Sequence, residues 1–266
     1  MPSALSLVTL LTDFGDRDYF VASMKGVILG INPQARIVDL THQIAPQHVE
    51  DAAYVLKSAY PYFPDGTVHV AVVDPGVGSA RRPLLVSTSR YFFLAPDNGL
   101  LSYIYQDESS VDVRQIENRQ YRLDSEGTTF DGRDVFAPAA AWLTRGQTPG
   151  SYGRLVRDFA KLPLAEPAWK SQAFVGQIVY VDHFGNLISN ITALHLKEVQ
   201  GVTKRPHVTV RIGGMTIDGL TACYADAAPG EPCALINSNG QLEIFIKEGS
   251  AADLLKLGRG ERIDVL

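Results

Sequence analysis

The sequence predicts an α/β fold, in which an N-terminal, mostly parallel sheet flanked by helices precedes a smaller C-terminal antiparallel β domain. In the first half of the chain, apolar runs typical of buried strands alternate with segments of helical periodicity. In the second half, short alternating runs are separated by turns such as Asn239-Gly240, a strong hairpin signal. We therefore expect an α/β domain at residues 1–150, a linker at 151–170 and a barrel-like β domain at 171–266.

The first half opens with strands and helices in alternation. Residues 5–11 form a continuous apolar run, which is typical of a strand buried on both faces. Helical periodicity follows from Tyr19 to Ile31 and ends at Asn32-Pro33. The next predicted elements are a strand at Ile37–Leu40, a helix at His48–Phe63 and a strand at Val68–Val73. Alternation of this kind implies parallel strands joined by crossover helices.

The remaining elements are predicted from shorter patterns. In the first domain they are strands at Leu84–Ser87, Tyr91–Leu94 and Val111–Ile116, with helices at Leu100–Tyr105 and Val135–Thr144. Asp134 directly precedes the last of these helices and is predicted to cap it. In the second domain we expect strands at Phe174–Tyr180, His207–Ile212, Ala234–Asn237, Leu242–Ile246 and Arg262–Val265.

Composition excludes several classes of protein. The net charge is −5 and no basic stripe is visible, which argues against nucleic acid as a partner. No run of about 18 apolar residues exists, so we expect no membrane span, and the first apolar run resembles a strand more than a signal peptide. Two cysteines, Cys223 and Cys233, are too few for a disulfide framework, and the sequence leaves open whether they form one disulfide bond. We therefore expect a cytoplasmic protein.

The most informative stretch follows the third predicted strand. Val68–Val73 runs directly into Asp74, and a turn rich in proline and glycine leads to Arg81 seven residues later. Such a turn can fold back, so that Asp74 and Arg81 meet at the carboxyl end of a buried strand, where open α/β sheets carry their chemistry. The alternative is a solvated turn with an incidental surface ion pair.

Two further loops of the first domain carry carboxylates. Asp13 follows the first strand, where a carboxylate can accept both hydroxyls of a ribose. The alternative is a helix cap, for which Asp16 and Asp18 are better placed. Asp131 precedes Gly132 in the loop before the alanine-rich helix and is free to point into a crevice. The alternative for Asp131 is an ordinary capping arrangement.

The second domain offers two polar turns. In the first, Asp182 and Asn186 can hold polar groups and Phe184 can stack on a base. The alternative is a plain turn with Asn186 in a left-handed conformation. The second turn, at 237–240, contains Ser238 and is structural on its pattern alone, as the turn of a hairpin.

The sequence also argues against a polyphosphate-binding site and against a metal site. It lacks G-x-G-x-x-G after an early strand and lacks the P-loop pattern, so a polyphosphate cradle is not expected. Asp13, Asp74, Asp131 and Asp134 are the right ligand type for a hard cation. However, Arg81 would repel a cation, and no element carries a His/Asp pair with metal-ligand spacing. We expect neither a metal nor a cofactor.

Six motifs together resemble one family. They are residues 11–15, residues 72–78 with Arg81, and residues 95–99, 130–138, 182–186 and 236–240. The set resembles the S-adenosyl-L-methionine (SAM) hydrolases, or hydroxide adenosyltransferases, which are relatives of the fluorinase and the chlorinase. The resemblance implies an N-terminal α/β domain, a C-terminal β domain and a homotrimer. It places the active site between the first domain of one subunit and the second domain of its neighbour.

The resemblance also implies a reaction, in which water or hydroxide attacks the 5′ carbon of the adenosyl group and releases adenosine and methionine. Arg81 would polarise the water, because a nearby positive charge favours the hydroxide form. Asp74 would orient Arg81. Asp13 would hold the ribose hydroxyls. The residues expected to bind substrate are Asp13, Asn98, Phe130, Asp182, Phe184, Asn186 and Ser238.

Asp131 departs from the family pattern, because most of these hydrolases carry histidine there. With Asp74 and Arg81 it completes the expected catalytic set. A second carboxylate either repels hydroxide or acts as a general base on neutral water. One alternative function is a halogenase, although those relatives carry tyrosine where Asp74 stands and Asp74 would repel a halide. Another is a SAM- or adenosine-binding protein with little turnover.

Overall fold

The computed structural model describes residues 5–204 and 207–266. The chain divides into two compact units, Met1–Pro163 and Leu164–Leu266. The first unit is a mixed α/β structure and the second is built on an antiparallel sheet, so the predicted fold class is confirmed. The domain and linker boundaries expected from the sequence stay a prediction.

The first unit is organised by a six-stranded sheet with the order β2-β1-β3-β5-β4-β6. Its strands are β1 (Leu7–Thr12), β2 (Arg36–Thr41), β3 (Val68–Val72), β4 (Pro83–Ser87), β5 (Phe92–Pro96) and β6 (Asp112–Gln115). Strands β2, β1, β3 and β5 are parallel, whereas β4 is antiparallel to both of its neighbours. Because β2 and β3 lie on opposite sides of β1, the connections leave β1 and β3 in opposite directions. That arrangement opens a crevice beyond their carboxyl ends.

Four helices accompany this sheet: α1 (Phe20–Ile31), α2 (Val49–Ala59), α3 (Ser102–Asp107) and α4 (Ala137–Thr144). The sheet buries apolar residues on both faces. On one face Val8 and Leu10 pack with Met24 of α1, and on the other Leu11 packs with Leu56 of α2. The continuous apolar run of β1 therefore reflects two covered faces, as expected for a parallel sheet.

The structure corrects two expectations about helix ends. The helix expected at His48–Phe63 stops at Ala59 and continues as a 3₁₀ turn at Tyr60–Tyr62, because Pro61 has no N–H to donate. Helix α1 begins after Tyr19 without a side-chain cap, so neither Asp16 nor Asp18 caps it.

Asp134 does not cap a helix, and that prediction was wrong. Residues Gly132–Phe136 form one turn of π-helix, and α4 begins only at Ala137. The Asp134 N–H already donates to the Phe130 carbonyl, so this residue lies inside the helical turn. Its carboxylate instead accepts from Arg133 Nε at 2.6 Å.

The second unit contains a curved antiparallel sheet with the order β11-β10-β14-β8-β9-β13-β12, with β7 beside β8. Its elements are β7 (Ala168–Lys170), β8 (Ala173–Val181), β9 (Leu187–Thr192), α5 (Ala193–Thr203), β10 (Thr209–Ile212), β11 (Met215–Asp218), β12 (Pro232–Ile236), β13 (Gln241–Ile246), α6 (Ala251–Leu255) and β14 (Arg262–Val265). The apolar core includes Ile178, Val210 and Ile244.

Sequence reasoning missed β9, β11, α5 and α6. Strand β9 is buried almost throughout and therefore shows no alternation. Helix α5 exposes Leu194 and Val202, which weakens its helical pattern. Over the residues that the structure describes, no helix combines the length and the apolar character needed to cross a membrane.

His69 is a buried titratable group in β3. It is fully buried, its Nδ1 lies 2.8 Å from Thr9 Oγ1, and its ring stacks on Phe93 with centroids 5.1 Å apart. Burial lowers the pKa of His69 from 6.5 to about 3. The folded protein therefore holds this imidazole in its neutral form.

We expect His69 to make the protein less stable in mild acid. Between pH 6.5 and about 3 the unfolded chain binds a proton at His69, whereas the folded chain does not. The free energy of unfolding therefore falls by about 1.4 kcal/mol for each pH unit below 6.5. Urea unfolding between pH 5 and pH 7 should show a smaller slope for His69→Gln than for the wild type. His183→Gln, at an exposed position, should keep the wild-type slope. Equal slopes for wild type and His69→Gln would refute this origin.

Candidate active site

A pocket of about 150 Å³ lies beyond the carboxyl ends of β1 and β3. Its walls are mostly apolar and its polar groups are few, which is typical of small-molecule sites. The lining residues are Phe14, Phe20, Val72, Asp74, Val77, Thr129, Phe130, Asp131 and Gly132. All of these lining residues belong to the first unit.

The turn after β3 brings Asp74 and Arg81 together. Gly78 adopts a φ of +79°, which a residue with a side chain rarely takes, and the turn is closed by Ser79 N–H donating to the Gly76 carbonyl at 3.0 Å. Arg81 Nε donates to Asp74 Oδ1 at 3.0 Å, and Arg81 Nη2 pairs with Asp74 Oδ2. One hydrogen bond and a second close charge contact therefore hold the guanidinium against the Asp74 carboxylate.

Asp131 reaches the same guanidinium from the start of the π turn. Its Oδ2 contacts Arg81 Nη2, and the side chain is 21% exposed, compared with 5% for Asp74 and 10% for Arg81. The neighbouring Gly132 lets this turn pack closely against apolar side chains, because a Cβ there would lie 3.0 Å from the Phe130 ring and 3.2 Å from Met24 Sδ. Asp131 is thus the carboxylate of the cluster that is most open to the pocket.

The three groups, which we call the carboxylate–arginine cluster (Asp74, Arg81 and Asp131), perturb one another. Burial raises the pKa of Asp74, the bonds to Arg81 oppose that rise, and the charge of Asp131 adds to it; the net pKa is above the ordinary 3.8. Burial alone would lower the pKa of Arg81, but the two carboxylates outweigh it and raise that pKa. With both carboxylates ionised, the cluster carries a net charge of −1.

Two other predicted site residues of the first unit lie at the same edge of the sheet. Asp13 Oδ2 accepts from the Gln47 N–H at 2.8 Å. Asn98 donates to the Val73 carbonyl at 2.8 Å and accepts from the Leu100 N–H at 3.1 Å. Asn98 therefore ties the loop after β5 to the end of β3 and supports the position of Asp74.

The other predicted site residues belong to the second unit. Asp182 Oδ1 accepts from the N–H groups of Phe184 and Asn186, both at 2.9 Å, and its Oδ2 accepts from Asn186 Nδ2 at 3.1 Å. Gly185, with φ +82°, takes the left-handed conformation, so the alternative expectation for Asn186 was wrong. Phe184 is 73% exposed, and Ser238 is exposed in the turn between β12 and β13.

Sequence reasoning missed a pair of polar residues beside the pocket. Thr12 Oγ1 lies 2.8 Å from His42 Nδ1. The available signal was topological: Thr12 ends β1 and His42 directly follows β2, its parallel neighbour, and the carboxyl ends of such strands meet at one edge of a sheet. Among residues 5–204 and 207–266, no group of three His, Cys, Asp or Glu is arranged to hold a metal ion.

The first unit has a mostly parallel sheet, with an acidic, aromatic-walled pocket at the point where the connections after β1 and β3 leave in opposite directions. This arrangement is typical of α/β proteins that bind small ligands, and here an antiparallel β unit follows it in the chain. Residues 8–153 match the SAM hydroxide adenosyltransferase N-terminal domain, and residues 176–264 match the C-terminal domain of the same family. The chain belongs to the SAM hydroxide adenosyltransferase family, and the resemblance seen in its motifs is confirmed.

Individual relatives agree with this membership. The chain is 35% identical to an (R)-S-adenosyl-L-methionine hydrolase from Salinispora tropica, over 97% of each chain. It is 27% identical to a fluorinase from an Actinoplanes species, over 90% of each chain. It also resembles a crystal structure of an uncharacterized conserved protein from Thermotoga maritima, with a TM-score of 0.88 and 32% identity over 97% of this chain and 99% of that one.

We expect the loss of Arg81 to destabilise the protein and the loss to depend on pH. Arg81→Gln leaves Asp74 buried without its partner and close to a second carboxylate, which costs about 3 kcal/mol of unfolding free energy at pH 7. The deficit should shrink as pH falls toward 4, because protonated carboxyls no longer repel each other. Urea titrations at pH 7 and pH 4.5 measure both effects.

The matched control is Arg90→Gln, because Arg90 pairs with Asp65 at an exposed position. Exposed ion pairs contribute little, so this variant should stay close to the wild type at both pH values. Similar losses for the two variants would contradict a special role for the buried pair.

Proposed function

We propose that this protein hydrolyses SAM to adenosine and L-methionine. The observation that carries the proposal is the carboxylate–arginine cluster at the polar end of an aromatic-walled pocket. Its net charge of −1 favours a cationic ligand such as a sulfonium and disfavours a halide ion. Relatives named (R)-S-adenosyl-L-methionine hydrolases at 33% to 36% identity support this substrate and this reaction.

Each of the three residues in the cluster has a separate role in the proposed reaction. A water molecule attacks the 5′ carbon, and the carbon–sulfur bond breaks with its electron pair remaining on the sulfur of methionine. The water loses one proton to Asp131, the more exposed of the two carboxylates in the cluster. Arg81 donates a hydrogen bond to the attacking oxygen, and Asp74 orients Arg81 through its own hydrogen bond to Nε. Alignment of the attack contributes about 7 kcal/mol at the low end of effective-molarity values.

The pocket walls suit the nucleoside part of the substrate. The rings of Phe14 and Phe130 meet edge to face with centroids 5.8 Å apart, and Phe20 packs on Phe130 at 5.2 Å. These rings exclude water from the reacting carbon and cover the apolar faces of the adenosyl group. Asp13, with only one oxygen engaged by Gln47, keeps the other available for a ribose hydroxyl.

The rest of the assignment depends on the family resemblance. It includes a homotrimer with active sites at subunit interfaces and a cytoplasmic location. It also includes substrate contacts from Asn98 in the first unit and from Asp182, Phe184, Asn186 and Ser238 in the second. These points stay predictions.

Incubation of the purified protein with SAM should give adenosine and methionine in equal amounts, with or without chloride. In H₂¹⁸O, the 5′ hydroxyl of the adenosine should carry the label, because the attacking oxygen comes from solvent. Chromatography with mass spectrometry measures both. Formation of 5′-chloroadenosine would favour a halogenase, and intact SAM that co-purifies with the protein would favour binding without turnover.

The rate of hydrolysis should increase with the residue at position 131 in the order Asn, Asp, His. Asparagine cannot take a proton, and loss of a general base costs about 100-fold or more in kcat. Histidine should raise kcat about tenfold above the wild type, because the ordinary pKa of an imidazole lies nearer neutral pH than that of a carboxylic acid. Steady-state kinetics at pH 7.5 checks the order. Equal rates for Asp131→Asn and the wild type would rule out a base at this position.

A further inference from the structure

A chain of polar side chains runs behind the pocket from the protein surface to the loop after β1. Lys25 Nζ lies 2.6 Å from Asp39 Oδ2, and Asp39 Oδ1 lies 3.1 Å from His42 Nε2. On its other side, His42 Nδ1 lies 2.8 Å from Thr12 Oγ1. The carboxylate–arginine cluster does not include any of these groups.

Asp39 is the acceptor at the outer end of this chain, where Lys25 Nζ donates to its Oδ2. Burial raises the pKa of Asp39, but Lys25 and His42 outweigh it and the net pKa is lowered, so Asp39 is a carboxylate and only accepts. On the inner side, His42 Nδ1 and the Thr12 hydroxyl, 2.8 Å apart, form the next hydrogen bond of the chain. Because Thr12 is fully buried, its hydroxyl does not meet a ligand directly.

The far end of the chain fixes the turn that carries Asp13. The Thr12 hydroxyl accepts from the Phe14 N–H at 3.2 Å, and the His42 carbonyl accepts from the Gly15 N–H at 2.7 Å. The turn is thus tied to His42 on both sides of the Phe14 ring, which lines the pocket. Asp13 itself is held by the N–H of Gln47, a residue in the left-handed region with φ +69°.

We propose that Thr12, His42 and Asp39 are positioning residues that hold the Asp13–Phe14 turn in its ligand-binding geometry. The oriented imidazole places the Thr12 oxygen where the Phe14 N–H needs an acceptor. Asp13 then presents its free oxygen to the ribose, and Phe14 presents its ring to the pocket. The identity of the ligand rests on the proposed function, whereas the order of the turn does not.

Steady-state kinetics on SAM separates positioning from chemistry. Thr12→Val removes the acceptor for the Phe14 N–H and the hydrogen-bond partner of His42 with little change in shape, so KM should rise about tenfold while kcat changes little. Thr12→Ser keeps the hydroxyl and should restore KM, and His42→Gln should resemble Thr12→Val. The matched control is Thr41→Val at the end of β2, where the hydroxyl accepts from the Gln43 N–H. Its KM should stay within about twofold of the wild type.

Amide hydrogen exchange on the ligand-free protein tests the same inference without a substrate. In Thr12→Val and His42→Gln the amides of Phe14 and Gly15 should exchange about tenfold faster, while Leu10 and Val70 in the sheet keep their rates. Thr12→Ser should exchange as the wild type does. If the wild type does not hydrolyse SAM, the proposed function fails and the exchange rates still decide this inference. Unchanged rates at Phe14 and Gly15, or an equal acceleration at Leu10 and Val70, would overturn it.

Discussion

The contact of one guanidinium with two carboxylates is the interaction on which the pocket depends. Arg81 joins the end of β3, through Asp74, to the start of the π turn before α4, through Asp131. All three side chains are mostly buried, and buried charges are tolerated only when they are paired. The turn after β3 and the entry to α4 therefore hold each other in place, and the pocket lies between them.

Several weaker braces keep this edge of the sheet rigid. Asn98 ties the loop after β5 to the end of β3, and Arg82 Nε donates to Asp97 at 2.8 Å while its Nη1 donates to Asp158 at 2.8 Å. The segment 157–162 is thereby fastened to the same edge. Groups fixed in this way need no rearrangement when charge develops in a reaction, which is the condition for efficient electrostatic stabilisation.

Asp131 gives the pocket its particular electrostatic character. A histidine there would leave the cluster neutral in its unprotonated form, whereas the carboxylate gives a net charge of −1. This excess charge suits a sulfonium substrate and, by the same physics, disfavours an anionic nucleophile. In the proposed reaction, the two effects favour neutral water, deprotonated during attack, as the nucleophile. On that proposal, Asp131 affects the form of the nucleophile more than the identity of the substrate.

The sequence by itself determined the elements whose patterns are local. The apolar run of β1 predicted a strand buried on both faces, the run of β3 predicted a strand that ends at Asp74, and the glycine-rich turn with its seven-residue spacing allowed Asp74 and Arg81 to meet, as they do. Tertiary structure decided the rest. Asp131 reaches Arg81, and His42 reaches Thr12, because strand order brings distant loops to one edge of the sheet. Side-chain periodicity records which face of an element is buried, but not which loops become neighbours, so such contacts leave no local signal.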